Sequence, residues 1–286
     1  MKFLKKNENF NEKENLKNKK NDEKNAKEPI KSDENFCIFQ NINQEKMQQI
    51  VEMGTITTNG KYFIHCMTII GQIEGHYVLP KDVKATKYEQ IIPALVSIEQ
   101  SKNVKGLLVV LNTIGGDIEA GLAIAELISG LSKPTVSVVL GGGHSIGVPL
   151  AVSSKFSFIV PSATMTIHPV RSSGTILGVQ QSFLYFKKIQ DRIVKFVVKN
   201  SKISEKNFLK FMMETNELAT DIGSVIDGEI AVKIGLIDRV GSISDAIEKL
   251  YDMIEKKEKA DRKTDRKKVK TKAIKPSKAI KPSVKQ

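Results

Sequence analysis

The chain has no tryptophan, two cysteines and only 6% aromatic residues in 286 positions. Cys37 and Cys66 are too few for a disulfide framework and lack the paired spacing of a zinc site. They read as two reduced thiols of a cytosolic protein. No run of about 18 apolar residues occurs, which excludes the usual membrane-spanning helix. Met1 to Lys6 is basic, but Asn, Lys and Glu follow where a secretory signal needs an apolar stretch, so a cytoplasmic location is expected. The phosphate-cradling pattern G-x-x-x-x-G-K-[ST] is missing, so an NTP-binding P-loop is disfavoured.

Acidic residues are scarce at the C-terminal end, and that scarcity accounts for most of the net charge of +13. Residues 255–286 carry 14 Lys/Arg against 4 Asp/Glu, and residues 1–35 carry 10 Lys against 8 Asp/Glu. The body, 36–254, is therefore almost neutral. A neutral body with a basic tail is not a nucleic-acid groove. Both ends read as disordered by composition, the far one repeating Lys-Ala-Ile-Lys-Pro-Ser from Lys272 and from Lys278. The tail remains a candidate weak tether to an anionic membrane surface.

Between the ends, apolar runs alternate with helical patterns. Strands are predicted at 63–70, 106–111, 135–140, 156–161, 164–168 and 235–238, with a turn at 112–117. Helices are predicted at 88–101, 120–132, 145–153, 179–199, 204–215 and 243–255. This alternation implies an α/β fold of repeated βαβ units with a mostly parallel sheet.

Three segments carry chemistry. Gly143-His144-Ser145-Ile146-Gly147 has the G-x-S-x-G form and falls between a strand and a helix, where a sharp turn exposes a serine beside unpaired backbone N–H groups. By itself the pattern also fits a tight turn with Ser145 as helix cap. His168, in Met165-Thr-Ile-His-Pro169, is the histidine downstream of Ser145, whereas His144 adjoins the serine and is expected to point elsewhere. Residues 146–167 contain no Asp or Glu, which excludes the Ser-acid-His order of an α/β-hydrolase. Asn112-Thr-Ile-Gly115-Gly116-Asp117 follows a buried strand, and its two glycines could aim N–H groups at an anion.

In this order and spacing the segments resemble the Clp protease proteolytic-subunit (ClpP) family, over roughly residues 60 to 250. Asn112-Thr-Ile-Gly-Gly116 is similar to its Asn-Ser-Pro-Gly-Gly turn. Met165-Thr-Ile-His168-Pro169 is similar to its Met-Ile-His-Gln-Pro strand, and Ala231-Val-Lys-Ile-Gly-Leu-Ile-Asp238 to its Ala-x-x-x-Gly-Leu-Ile-Asp ending. Gly142-Gly-His-Ser-Ile-Gly-Val-Pro149 is closer to the family's translocation-enhancing branch. The resemblance implies a crotonase/ClpP-like fold with a protruding handle helix, here about Gln180 to Lys199, and a homo-oligomeric ring, usually a heptamer.

It further implies a serine endopeptidase needing no cofactor or metal, acting on peptide or unfolded protein, with any ATP-dependent unfoldase a separate protein. Ser145 would be nucleophile, His168 general base, Gly115 and Ile146 oxyanion-hole donors, and Gly116 a substrate-binding residue. Where the family places its triad acid this chain has Ala219. Asp221 is the candidate acid, with Asp227 and Glu217 as alternatives. The rival readings are a non-catalytic scaffold of the same fold and a membrane-surface adaptor.

Overall fold

The computed structural model describes residues 44–171, 178–215 and 222–273, with side chains from 47 to 264 among them. Residues 1–35, read as disordered, lie outside the described residues. In chain order the elements are α1 (Gln44–Met53), β1 (Thr55–Asn59), β2 (Phe63–Glu74), β3 (Ala85–Lys87), α2 (Tyr88–Gln100), β4 (Gly106–Gly116) and α3 (Ile118–Gly130). There follow β5 (Thr135–Gly143), α4 (Gly147–Val152), β6 (Phe156–Ile159), β7 (Thr164–Ile167), α5 (Val179–Asn200) and α6 (Glu205–Met212). The chain closes with β8 (Ser224–Asp227), α7 (Gly228–Lys233), β9 (Arg239–Val240) and α8 (Ile243–Ala273).

The sheet runs β1-β2-β4-β5-β6-β9. All neighbours in it are parallel except β1 and β2. This is the mostly parallel α/β architecture expected from the alternation. Both sheet faces are buried, which is why β4 is apolar at every position from Leu107 to Leu111. Leu107, Val109 and Leu111 face one core with Leu95, Ile124 and Leu150 from the helices. Leu108 and Val110 face a second core closed by Ala246, Leu250 and Ile254 of α8.

β5 splits its partners, and this split builds the site. Its first half pairs with β6 from Val136 to Val139, while Gly142 pairs with Thr164 of β7. β7 in turn pairs antiparallel with β8. The strand β7 is thus joined to the main sheet at one register position only, close to where the chain turns into α4.

Three expectations are corrected. The segment 112–117 is not a free turn, because β4 continues to Gly116 against β2, with register breaks at Gly71/Gln72 and Leu111/Thr113. Gly235–Asp238 is not a strand. Leu236 and Ile237 are buried, but both their N–H groups donate to the Ala231 carbonyl in a turn, and the strand begins at Arg239. The last helix does not stop at Glu255, and residues 255–273 are helical rather than disordered. Lys, Arg, Glu and Ala have good helix propensity, no Gly or Pro intervenes before Pro276, and Lys259–Glu255 and Arg262–Glu258 form i,i+4 pairs.

Leu250→Ala should cost about 2–5 kcal/mol, because it opens a cavity under a fully buried helix face. Removing residues 265–286 should move the urea midpoint by less than ~0.5 kcal/mol equivalent. Equal effects of the two changes would contradict the seating of α8 by Ala246, Leu250 and Ile254.

His65 of β2 meets Thr57 Oγ1 at 2.9 Å through Nδ1, while its Nε2 is buried without a partner. Burial pushes this imidazole below its ordinary 6.5 in the folded chain. As pH falls the unfolded chain therefore takes the proton first, and stability declines from about pH 6.5 downward until the folded imidazole also protonates. His65→Leu should lessen the drop in urea midpoint between pH 7.5 and 5.5.

Candidate active site

Ser145 stands at the end of β5 with φ 57°, the left-handed region that a serine enters only under constraint. Four main-chain bonds impose it. The His144 N–H donates to Thr113 O (3.1 Å) and the Ser145 N–H to Thr166 O (2.9 Å). The Gly147 and Val148 N–H groups donate back to His144 O and Ser145 O at 2.8 and 3.0 Å, starting α4. Ile146 is buried against α3, where Gly121 leaves the room: a Cβ there would lie 2.4 Å from Ile146 Cγ1. The Ile146 N–H has no partner among the described residues.

The β4 end is shaped around the serine. Gly115 has φ 95°, and a Cβ on it would lie 2.6 Å from Ser145 Cβ and 3.2 Å from Oγ. Only glycine allows both the conformation and the approach. Thr113 Oγ1 donates to Gly71 O (2.6 Å) and accepts the Gly115 N–H (3.1 Å). Register pairs Ile73 with Gly116, and the Asp117 N–H donates to Ile73 O. In a parallel ladder a residue so paired turns its own N–H away from the partner strand. Gly115 is buried with its N–H occupied, whereas Gly116 is exposed and lines the same cavity as Ser145. Of the two glycines, Gly116 offers the N–H.

His168 follows β7 directly. A cavity of about 140 Å³ is lined by Ser145, Ile146, Gly116 and His168 together with apolar Ile118, Val148, Ile193, Phe208 and Met212. The two side chains singled out from sequence therefore meet at one cavity, although no hydrogen bond joins them in this arrangement. His168 Nδ1 lies 2.7 Å from the Pro169 carbonyl oxygen. A carbonyl only accepts, so in the neutral ring Nδ1 carries the proton and Nε2 is left basic.

The candidate acids divide. Asp221 and Glu217 lie outside the described residues. Asp227 pairs with Thr164, four positions from His168 along β7, or about 13 Å, and its carboxylate caps α7 through the Ile230 N–H (2.8 Å). Asp227 is removed as an alternative. Gly223 presses on His168: a Cβ there would meet Ile167 O at 2.4 Å and His168 Cβ at 2.7 Å. The chain thus comes against His168 two residues after Asp221.

Thr113, Thr166 and Gly223 were not identified from sequence. The signal was present for Thr166, since the period of two along a strand puts it on the same face as His168.

A family model described as Clp protease matches residues 60–244. The chain belongs to the Clp protease family. It is 54% identical over 214 residues to translocation-enhancing protein TepA of Halalkalibacterium halodurans, covering 75% of this chain and 83% of that one. Two proteins called ATP-dependent Clp protease proteolytic subunit are more distant. That of Streptococcus mutans is 27% identical over 165 residues, covering 57% of this chain and 82% of its own. That of Streptococcus uberis is 25% identical over 166 residues, with the same coverage.

Because the Gly115 approach is so close, Gly115→Ala should displace Ser145 and lower its reactivity toward a fluorophosphonate by more than about 100-fold, the scale of a 1 Å misplacement. Parental labelling of this variant would show that the β4 end does not shape the serine.

Proposed function

We propose that the chain is a serine endopeptidase of the ClpP/TepA type that hydrolyses peptide bonds of unfolded protein or peptides. The observation that carries this reading is the shared cavity of Ser145 and His168 beside the Gly116 and Ile146 amides. His168 Nε2 takes the Ser145 proton as the hydroxyl oxygen attacks the carbonyl carbon. The negative oxygen of the tetrahedral intermediate accepts from Gly116 and Ile146, each donor worth roughly 2.7–4 kcal/mol in a comparable site. His168 then protonates the leaving amine, and water releases the acyl group by the same route reversed. Gly116 takes the donor role first expected of Gly115, whose N–H is occupied by Thr113.

Asp221 is the proposed orienting acid, on the strength of its closeness in sequence to Gly223, which packs on His168. Its part would be to hold the tautomer that the Pro169 carbonyl already favours and to stabilise the imidazolium. A homo-oligomeric ring and a separate ATP-dependent unfoldase belong to the same reading, as does a link to protein quality control or translocation. Support comes from the relatives' names, which include ATP-dependent proteolytic subunits and a translocation-enhancing protein. Among the described residues no helix is long and apolar enough to cross a membrane. A cytoplasmic location and a tail contact with anionic lipid stay proposals.

Ser145→Ala should abolish fluorophosphonate labelling and peptide hydrolysis, while Asp221→Asn should slow labelling and lower kcat together, by up to about 10⁴. Undiminished labelling of the Ser145→Ala protein would remove the peptidase reading. A parent that never labels or cleaves, alone or with an unfoldase, would favour the non-catalytic scaffold.

A further inference from the structure

His144 adjoins the nucleophile and takes no part in the proton transfers above. Its ring Nδ1 lies 2.8 Å from Thr166 Oγ1, and its side chain is not among those lining the Ser145–His168 cavity. The carbonyl of the same threonine accepts the Ser145 N–H. One residue of β7 is therefore held twice by two consecutive residues of the serine turn, once through main chain and once through side chain.

The geometry gives this double hold a use. β7 has four residues and meets the main sheet only at Gly142–Thr164, its other edge being taken by the short β8. A strand held to the turn by the Ser145–Thr166 bond alone could pivot about it. His168 lies two residues beyond Thr166, about 6.6 Å along the strand, with its side chain on the same face. Met165 and Ile167 are buried on the opposite face. Any pivot at Thr166 therefore changes the separation of the Ser145 hydroxyl and the His168 imidazole.

The His144 ring is also confined on its far side. A Cβ on Gly142 would lie 2.6 Å from His144 Nε2, so glycine there makes room for the ring. Burial holds this imidazole below the ordinary histidine value, which keeps it neutral near pH 7. A neutral ring has one acceptor nitrogen, able to accept a hydrogen bond from the Thr166 hydroxyl.

We propose that the His144–Thr166 side-chain contact is a positioning clamp that fixes the strand carrying His168 against the turn carrying Ser145. The proposal rests on the serine-peptidase reading, and its test separates the two. Parent, His144→Ala, Thr166→Val, Thr166→Ser and the double variant His144→Ala/Thr166→Val are compared. The readouts are the rate of fluorophosphonate labelling, kcat and KM on a fluorogenic peptide, and thermal melting. His144→Ala and Thr166→Val should each lower labelling and kcat by about 10–100-fold, the cost of a misplacement of up to 1 Å, with KM within about threefold. The double variant should be no worse than the weaker single variant by more than about threefold, since both changes break one contact. Thr166→Ser, which keeps the hydroxyl, should come back to within about threefold of the parent. Parental rates in the single variants, multiplied losses in the double variant, or failure of serine to restore the rate would each overturn the clamp. So would a loss seen only in variants already unfolded at the assay temperature. A parent that does not label would sink the peptidase reading and the clamp with it, whereas a labelling parent matched by its variants would sink the clamp alone.

Discussion

Ser145 must hold a left-handed backbone, and the surrounding structure can be understood as what that one residue demands. The conformation costs of order 1–3 kcal/mol for a residue with a Cβ, so it persists only where neighbours over-determine it. Here β4 supplies Thr113 O to the residue before, β7 supplies Thr166 O to the serine itself, and α4 closes the other side. In return the hydroxyl is carried clear of the sheet at the mouth of an apolar cavity. Two of these supports come from strands other than β5, so the turn can form only when the β4, β5 and β7 ends are together.

The glycines follow from the same demand but serve different ends. Gly115 exists for close approach, Gly121 lets a helix reach Ile146, Gly142 makes room for an imidazole, and Gly223 lets the returning chain touch His168. A side chain at any of them would push on the site before it disturbed the core. The hydrophobic cores on the two faces of the sheet, by contrast, are built from ordinary branched residues such as Val109 and Val138.

Much of this was legible because backbone requirements are written in residue type. The alternation of buried strands and helices, the serine turn and the strand bearing His168 are local patterns, and they were read in place. What depends on long-range register was not. Which of Gly115 and Gly116 turns its N–H away from β2 is decided by pairing with Ile73, some forty positions earlier. The apolar run at 235–238 satisfies a strand pattern, yet it is buried by a turn that shares one carbonyl. The His144 side chain leaves the serine cavity because consecutive side chains diverge at a turn, but its partner Thr166 lies 22 positions on and was not legible locally. The proposed orienting acid, Asp221, sits in a stretch of sequence with no periodic pattern, where neither composition nor spacing singles out one carboxylate.

The final helix has a thermodynamic implication for anything that recognises the basic end. A coil captured by a partner gives up roughly 1–2 kcal/mol of backbone freedom for every residue that becomes fixed. Residues 255–273 have surrendered that freedom already, since they continue a helix seated by Leu250 and Ile254. Their backbone thus advances at a fixed 1.5 Å rise, preorganised rather than ordered on contact.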